Sequence, residues 1–232
     1  MTERDTESVA ESWRRIEDWL AAHLPEVRDA LHPGATDAAL DALEAVIGQP
    51  LPADVRASLR LHNGQRDRNA AGNVVTGVVF GLPLLPLAET EDAWLGWQDT
   101  LREYGDDPLM NDPSASHPPG AIQLRYIVSG WIPLTHDSGG NHFGVDLDPG
   151  PDGTRGQVIT FGPDDDEKYV VAPSWGRLLR YVADELEGDN FAIETDDEDG
   201  TRSLHMGEPP NSHFHEAVHA LHEARGAVIL DS

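Results

Sequence analysis

Two groups of residues in this chain have types and spacings that could do chemistry. The first is His215-Glu216-Ala217-Val218-His219. On a helix, residues four apart share a face, so His215 and His219 would hold a zinc ion together, with Glu216 as general base. A catalytic zinc site needs a third protein ligand. The acidic candidates that follow are Glu223 and Asp231, and the chain has no Cys. His213 and His222 crowd the same segment, so the match follows partly from composition. The segment reads first as a polar helix face, with a zinc-dependent hydrolase using His215, Glu216 and His219 as the remote alternative.

The second group flanks a glycine turn: His136-Asp137 before Ser138-Gly139-Gly140, and Asn141-His142 after it. A His-Asp pair can activate water. Ser138, however, lies in no G-x-S-x-G elbow, which requires a strand-to-helix turn. Gly139-Gly140 joins two strand-like runs, whereas phosphate loops run into a helix N-terminus. Asp137, Asp146, Asp148 and Asp152 lack the register of a calcium loop. These residues read as turn chemistry, and neither cofactor nor resident metal is expected.

Residues 130–162 carry this second group, as short apolar runs bounded by Gly, Asn and Asp, the signature of consecutive antiparallel strands. Residues 168–171 extend the series. Ahead of it, Val9, Trp13, Ile16, Trp19 and Leu20 recur at helical spacing over residues 7–23. Thr36 or Asp37 caps a second helix bearing Leu40, Leu43, Val46 and Ile47, and Gly48 suits its C-terminal left-handed position. A third helix from Ala53 stops at His62-Asn63-Gly64. Residues 73–80, rich in Val, read as a strand with a bulge at Gly77. Thr90 is the expected cap of a helix bearing Trp94, Trp97, Leu101 and Tyr104. Residues 105–120 read as a mobile loop and 122–128 as a strand. Ser174 caps a helix with Trp175, Leu178, Leu179, Val182 and Leu186 inward, ended by Gly188. Residues 191–194 read as a last strand and 213–224 as a His-rich helix. The expected organisation is an α+β domain over 1–188 with an acidic, His-rich appendage, 189–232, packed on it.

Charge narrows function more than it narrows fold. Sixteen Lys+Arg against 42 Asp+Glu give a net charge of −26 over 232 residues. Such a field repels nucleic acid and anionic membranes, whose binding rests on Lys and Arg, and speeds encounter with cationic partners. The polar N-terminal residues contain no signal-peptide apolar region, and no apolar run is long enough to span a membrane, so the expectation is a cytoplasmic protein.

The order of pieces resembles the SUKH superfamily, which includes bacterial immunity proteins and the fungal cell-wall assembly regulator. The resemblance is carried by the "helix, Leu-Pro, helix, Asn-Gly" opening from Glu44 to Gly64 and by Trp131-Ile132-Pro133-Leu134. It continues through the Asp137/Gly139-Gly140-Asn141 turn, Asp146-Leu147-Asp148-Pro149 and Gly156-Gln157-Val158, and a closing helix over 171–186. It implies helices packed around a mixed, mostly antiparallel sheet, and no catalytic activity. It implies a protein-binding module, foremost an immunity protein that occludes a basic, nuclease-type toxin, with a regulatory or scaffolding module as the alternative. The candidate binding face comprises Trp131, Asp137, Asn141, Asp146 and Asp148, with Asp164, Asp165, Asp166 and Glu167 steering from its rim. Gly139 and Gly140 form the turn that marks the fold.

Overall fold

The computed structural model describes residues 8–69, 71–105, 115–206 and 213–225. Helix α1, Val9–His23, starts where the Ser8 side chain accepts the Glu11 N–H, and its apolar stripe buries Trp13, Ile16, Trp19 and Leu20. A short α2, Pro25–Ala30, follows with proline in its first turn, where no intrahelical donor is lost. Thr36 caps α3, Asp37–Ile47, and Gly48 ends it at φ +77°. Helix α4, Ala53–Leu61, completes the helical hairpin.

Residues 73–80 are not a strand. They make only isolated bridges, and the Gly77 N–H donates to the Gly81 carbonyl at 2.8 Å. A Cβ on Gly77 would lie 1.7 Å from the Leu82 carbonyl carbon. The chain doubles back too tightly there for a ladder, and its valines enter the core from loop positions. Helix α5, Leu87–Tyr104, begins three residues before the expected cap. Its first N–H is taken by the distant Asn63 Oδ1 at 2.9 Å, while Thr90 is fully buried inside the helix.

Residues 106–114, within the predicted loop, lie outside the described residues. Strand β1, Ser116–His117, has two residues and pairs parallel with a later strand, while 122–128 form turns whose Ile122, Ile127 and Val128 are buried. The main antiparallel series is β2, Trp131–Pro133; β3, His142–Asp146; β4, Gln157–Phe161; and β5, Lys168–Ala172. The sheet order is β1-β5-β4-β3-β2, with only β1–β5 parallel.

Both faces of this sheet are covered. Ile132, Phe143, Val145, Val158 and Val171 join the large core with α1, α3 and α6, the helix Trp175–Glu187 that Ser174 caps. Trp131, Ile159, Phe161 and Val170 alternate onto the other face, in a smaller core that Trp97, Leu101 and Tyr126 close. The last described elements are β6, Phe191–Thr195, its antiparallel partner β7, Arg202–Met206, and α7, Phe214–Arg225. Strand β7 was not expected, because the acidic run before it reads as loop; that run is the hairpin turn. The fold is α+β. Leu204, Met206, Phe214, Ala217 and Val218 belong to the same core cluster as Trp13 and Leu178. Pro209, Pro210 and the apolar tail at 227–230 lie outside the described residues. No described helix is long and apolar enough to cross a membrane.

Candidate protein-binding face

The glycine turn is held by one carboxylate. Asp137 Oδ1 accepts N–H bonds from Gly139 at 2.7 Å and Asn141 at 2.9 Å, and its Oδ2 accepts from Asn141 Nδ2 at 2.6 Å. Burial pushes this carboxyl up, but the donors of Asn141 and Gly139 outweigh it and hold the group below its ordinary value. His213 lies 3.4 Å from Asp137 Oδ2. Asn141 also reaches the next turn: its Nδ2 donates to Asp164 Oδ2 at 3.0 Å, and its Oδ1 accepts the Asp164 N–H at 3.1 Å. One buried amide thereby staples the β2–β3 turn to the β4–β5 turn.

In that second turn the acidic run splits by side. Asp164, Asp166 and Glu167 face solvent, while Asp165 is turned inward. Burial pushes the Asp165 carboxyl up to about 6, against the pull of Lys168. Lys168 is itself buried; its Nζ donates to the Asp165 backbone carbonyl at 3.1 Å and sits 5.3 Å from the Trp131 ring. Glu167 Oε2 accepts from Tyr169 Oη at 3.0 Å and lies 3.0 Å from His117 Nε2, contacts that hold its carboxyl down.

At the opposite ends of the strands, Trp131 pairs with Asp146, and Asp146 pairs with Gln157. Asp146 is fully buried; it accepts the Asp148 N–H at 2.9 Å and Gln157 Nε2 at 3.1 Å, and burial pushes its carboxyl up to about 6.

The two histidines of the His-Glu-x-x-His segment lie against different neighbours. His215 Nε2 lies 4.0 Å from Asp165 Oδ1, and the His219 ring meets Tyr169 edge-on. His222 packs on both His117 and Tyr169. Among the described residues no group of three His, Asp or Glu side chains could hold a metal ion, so the zinc reading finds no third ligand there. Asp231 lies outside them.

The expected single face therefore divides. Antiparallel strands place Asp146 and Asp148 at one end of the sheet and Asp137, Asn141 and the 164–167 turn at the other, roughly 15 Å away along five-residue strands. Trp131, Asn141, Asp146 and Asp165 are also buried, at 0%, 1%, 0% and 8% exposure. Their side chains are packed inside the fold and are not part of its exposed surface. Of these candidates the exposed carboxylates are Asp148 at its end, with Asp152 in the same connection, and Asp164, Asp166 and Glu167 together at the other.

Residues 34–181 match the model of the SMI1 / KNR4 family (SUKH-1). This chain belongs to that family. Among its relatives is the cell wall biosynthesis/cell cycle regulator smi1 of Schizosaccharomyces pombe, 43% identical over 82% of this chain and 38% of that protein. A glucan synthesis regulatory protein of Neurospora crassa is 36% identical over 81% of this chain and 40% of its own length. The cell wall assembly regulator SMI1 of Saccharomyces cerevisiae is 31% identical, over 81% and 42% respectively. The chain thus spans about two fifths of the length of these relatives.

Within the SMI1/KNR4 match lie α3 to most of α6, and with them both turns and every acidic candidate. The β6–β7 hairpin and α7, which brings His213 and His215 against Asp137 and Asp165, lie beyond it. His117 and Tyr169, which pin Glu167, were missed: a lone His in a loop and a Tyr in an apolar run carry no signal until β1 pairs with β5.

Proposed function

We propose that the chain is a non-catalytic, regulatory protein-binding module of the cell-wall regulator kind, and that its acidic end receives a basic protein partner. The observation that carries this reading is membership in the SMI1/KNR4 family with relatives named as wall and glucan-synthesis regulators. The net charge of −26 supports a cationic partner, and the cluster of Asp164, Asp166 and Glu167 at one sheet end offers the local field to steer it. Neutralising a basic, nuclease-type toxin is the narrower second reading. The charge favours it equally, but the relatives' names favour regulation.

Affinity capture from the native cell, at low and high salt, tests the reading with wild type beside a D164N/D166N/E167Q variant. The expected partners are basic proteins of wall synthesis or its signalling, released by salt and lost in the variant. A secreted toxin domain as the sole salt-sensitive partner would replace regulation with neutralisation. Capture unchanged by salt and by the variant would remove the acidic end from the account.

A further inference from the structure

Beside the acidic end lies a cavity of about 300 Å³, walled by β7, the 74–83 segment, the 136–138 turn and the start of α7. Its floor is apolar and buried: Val75, Phe80, Leu82, Met206, Phe214 and Ala217. Val74 stands at its mouth and, at 53% exposure, is the most exposed of the large hydrophobic residues described. The volume matches the lower bound of ligand pockets, roughly 300 Å³, room for one large side chain with its immediate flanks.

Two further observations point to an occupant. Three described non-glycine residues have positive φ, and two of them, Phe80 at +54° and Ser138 at +65°, line this cavity. A bulky Phe held in the left-handed region is strained, and such strain concentrates at binding and clamp positions. The lining balances two carboxylates, Asp67 and Asp137, against two guanidiniums, and the exposed β6–β7 turn that leads into the lining residue Thr201 carries Asp196, Asp197, Glu198 and Asp199. Of the two lining guanidiniums, Arg202 is paired with Glu26, and Arg68 donates to the Gly72 carbonyl. Strand addition along β7 is blocked where the Leu204 N–H already donates to Thr76 Oγ1 at 3.1 Å.

We infer that this cavity is an anchor pocket for a basic protein segment, taking one large apolar side chain flanked by Lys or Arg. The inference rests on the reading that the chain binds a basic partner, and adds to it the place and chemistry of the contact. The apolar floor removes the anchor from water, as in the buried centre of an interface, while Asp137 links the mouth to the acidic end.

The test uses Met206, one of three methionines in the chain, as a reporter in the floor. Protein labelled with ¹³C-methyl methionine is titrated with the acetylated peptide Lys-Lys-Phe-Lys-Lys, and with versions carrying Ala for Phe or Glu for each Lys. The Phe peptide should shift the Met206 methyl saturably, and the Ala peptide should bind roughly tenfold more weakly. Val74→Lys, at an exposed position, should weaken the Phe peptide by a similar factor with an unchanged melting temperature. Equal response to the Phe and Ala peptides, or indifference to Val74→Lys, overturns the pocket. The D164N/D166N/E167Q variant separates the two ideas. A Met206 response kept in it while native capture is lost upholds both pocket and acidic end. Native capture by wild type with no Met206 response to the Phe peptide refutes the pocket alone.

Discussion

The Trp97 indole N–H donates to His142 Nε2 at 3.2 Å. An indole can only donate, so Nε2 is the acceptor and the ring proton sits on Nδ1, which is 2.7 Å from the Thr135 carbonyl. His142 is thereby a neutral tie between α5, the β2–β3 turn and the sheet, and the histidine of the glycine turn is committed to structure. Burial lowers its pKa from the ordinary 6.5. Its contribution to stability is therefore present above that value and lost as pH falls through the lower folded one. Urea melts of wild type and His142→Gln from pH 7 to pH 5 should show a shallower acid decline in the variant. Identical slopes would mean that the imidazole is not neutral in the fold.

Asp146 has the opposite sign. Its carboxyl is raised from 3.8 to about 6, so its contribution is fully present below 3.8 and lost as pH rises through about 6. Asp146→Asn should therefore gain on wild type as pH rises from 4 to 8, by on the order of 3 kcal/mol. Paired denaturant titrations at the two pH values measure this, and a difference that shrinks with pH would contradict the burial argument.

Ser58 Oγ accepts from two buried indoles, Trp13 Nε1 at 2.9 Å and Trp175 Nε1 at 3.1 Å. Ser58→Ala should cost roughly 2–4 kcal/mol, because two donors are stranded at once. Ser58→Thr keeps the hydroxyl and should recover most of that loss. Thermal melts of the three proteins decide it; equal loss in both variants would point to packing instead.

Arg202 fastens the β6–β7 hairpin. Its Nε donates to Glu26 Oε1 at 2.7 Å, its Nη2 to Glu26 Oε2, and its Nη1 to the His23 carbonyl at 2.9 Å. A lysine cannot reproduce the planar fork. Arg202→Lys should lower local stability by about 1 kcal/mol, the scale of a part-exposed ion pair with good geometry. Amide exchange should speed about fivefold over residues 191–206 and stay unchanged in β3 and β4. Acceleration across the whole sheet would show instead that the hairpin and sheet open as one unit.

Much of the scaffold was legible because it rests on local chemistry. The Trp13–Leu20 stripe, the Thr36 and Ser174 caps and the left-handed Gly48 depend on residues within one or two turns. The misreadings arose where distance decides. The β-branched run at 73–80 meets strand propensity, but Gly77 is pressed against the Leu82 backbone. Leu87 is capped from Asn63, and β1 is too short and polar to register before it pairs with β5. The candidate site failed in a similar way. Asp165 and Asp166 are chemically alike and adjacent, and only the packing of Lys168 beneath the turn shows which one is inside. Asp146 and Asp164 both follow strand-like runs, and antiparallel pairing sends them to opposite ends.

The contribution of Leu204, Met206, Phe214 and Val218 to the same core as Trp13 carries the packed interior past the stretch that the family model matches. The match to the family model closes at residue 181, but the apolar interior also takes Phe214, Ala217 and Val218 from α7. Chain that has emerged only as far as residue 181 would lack those side chains from its interior. A chain cut before α7 would therefore leave apolar surface of the main core in water, the kind of surface on which partly folded chains aggregate.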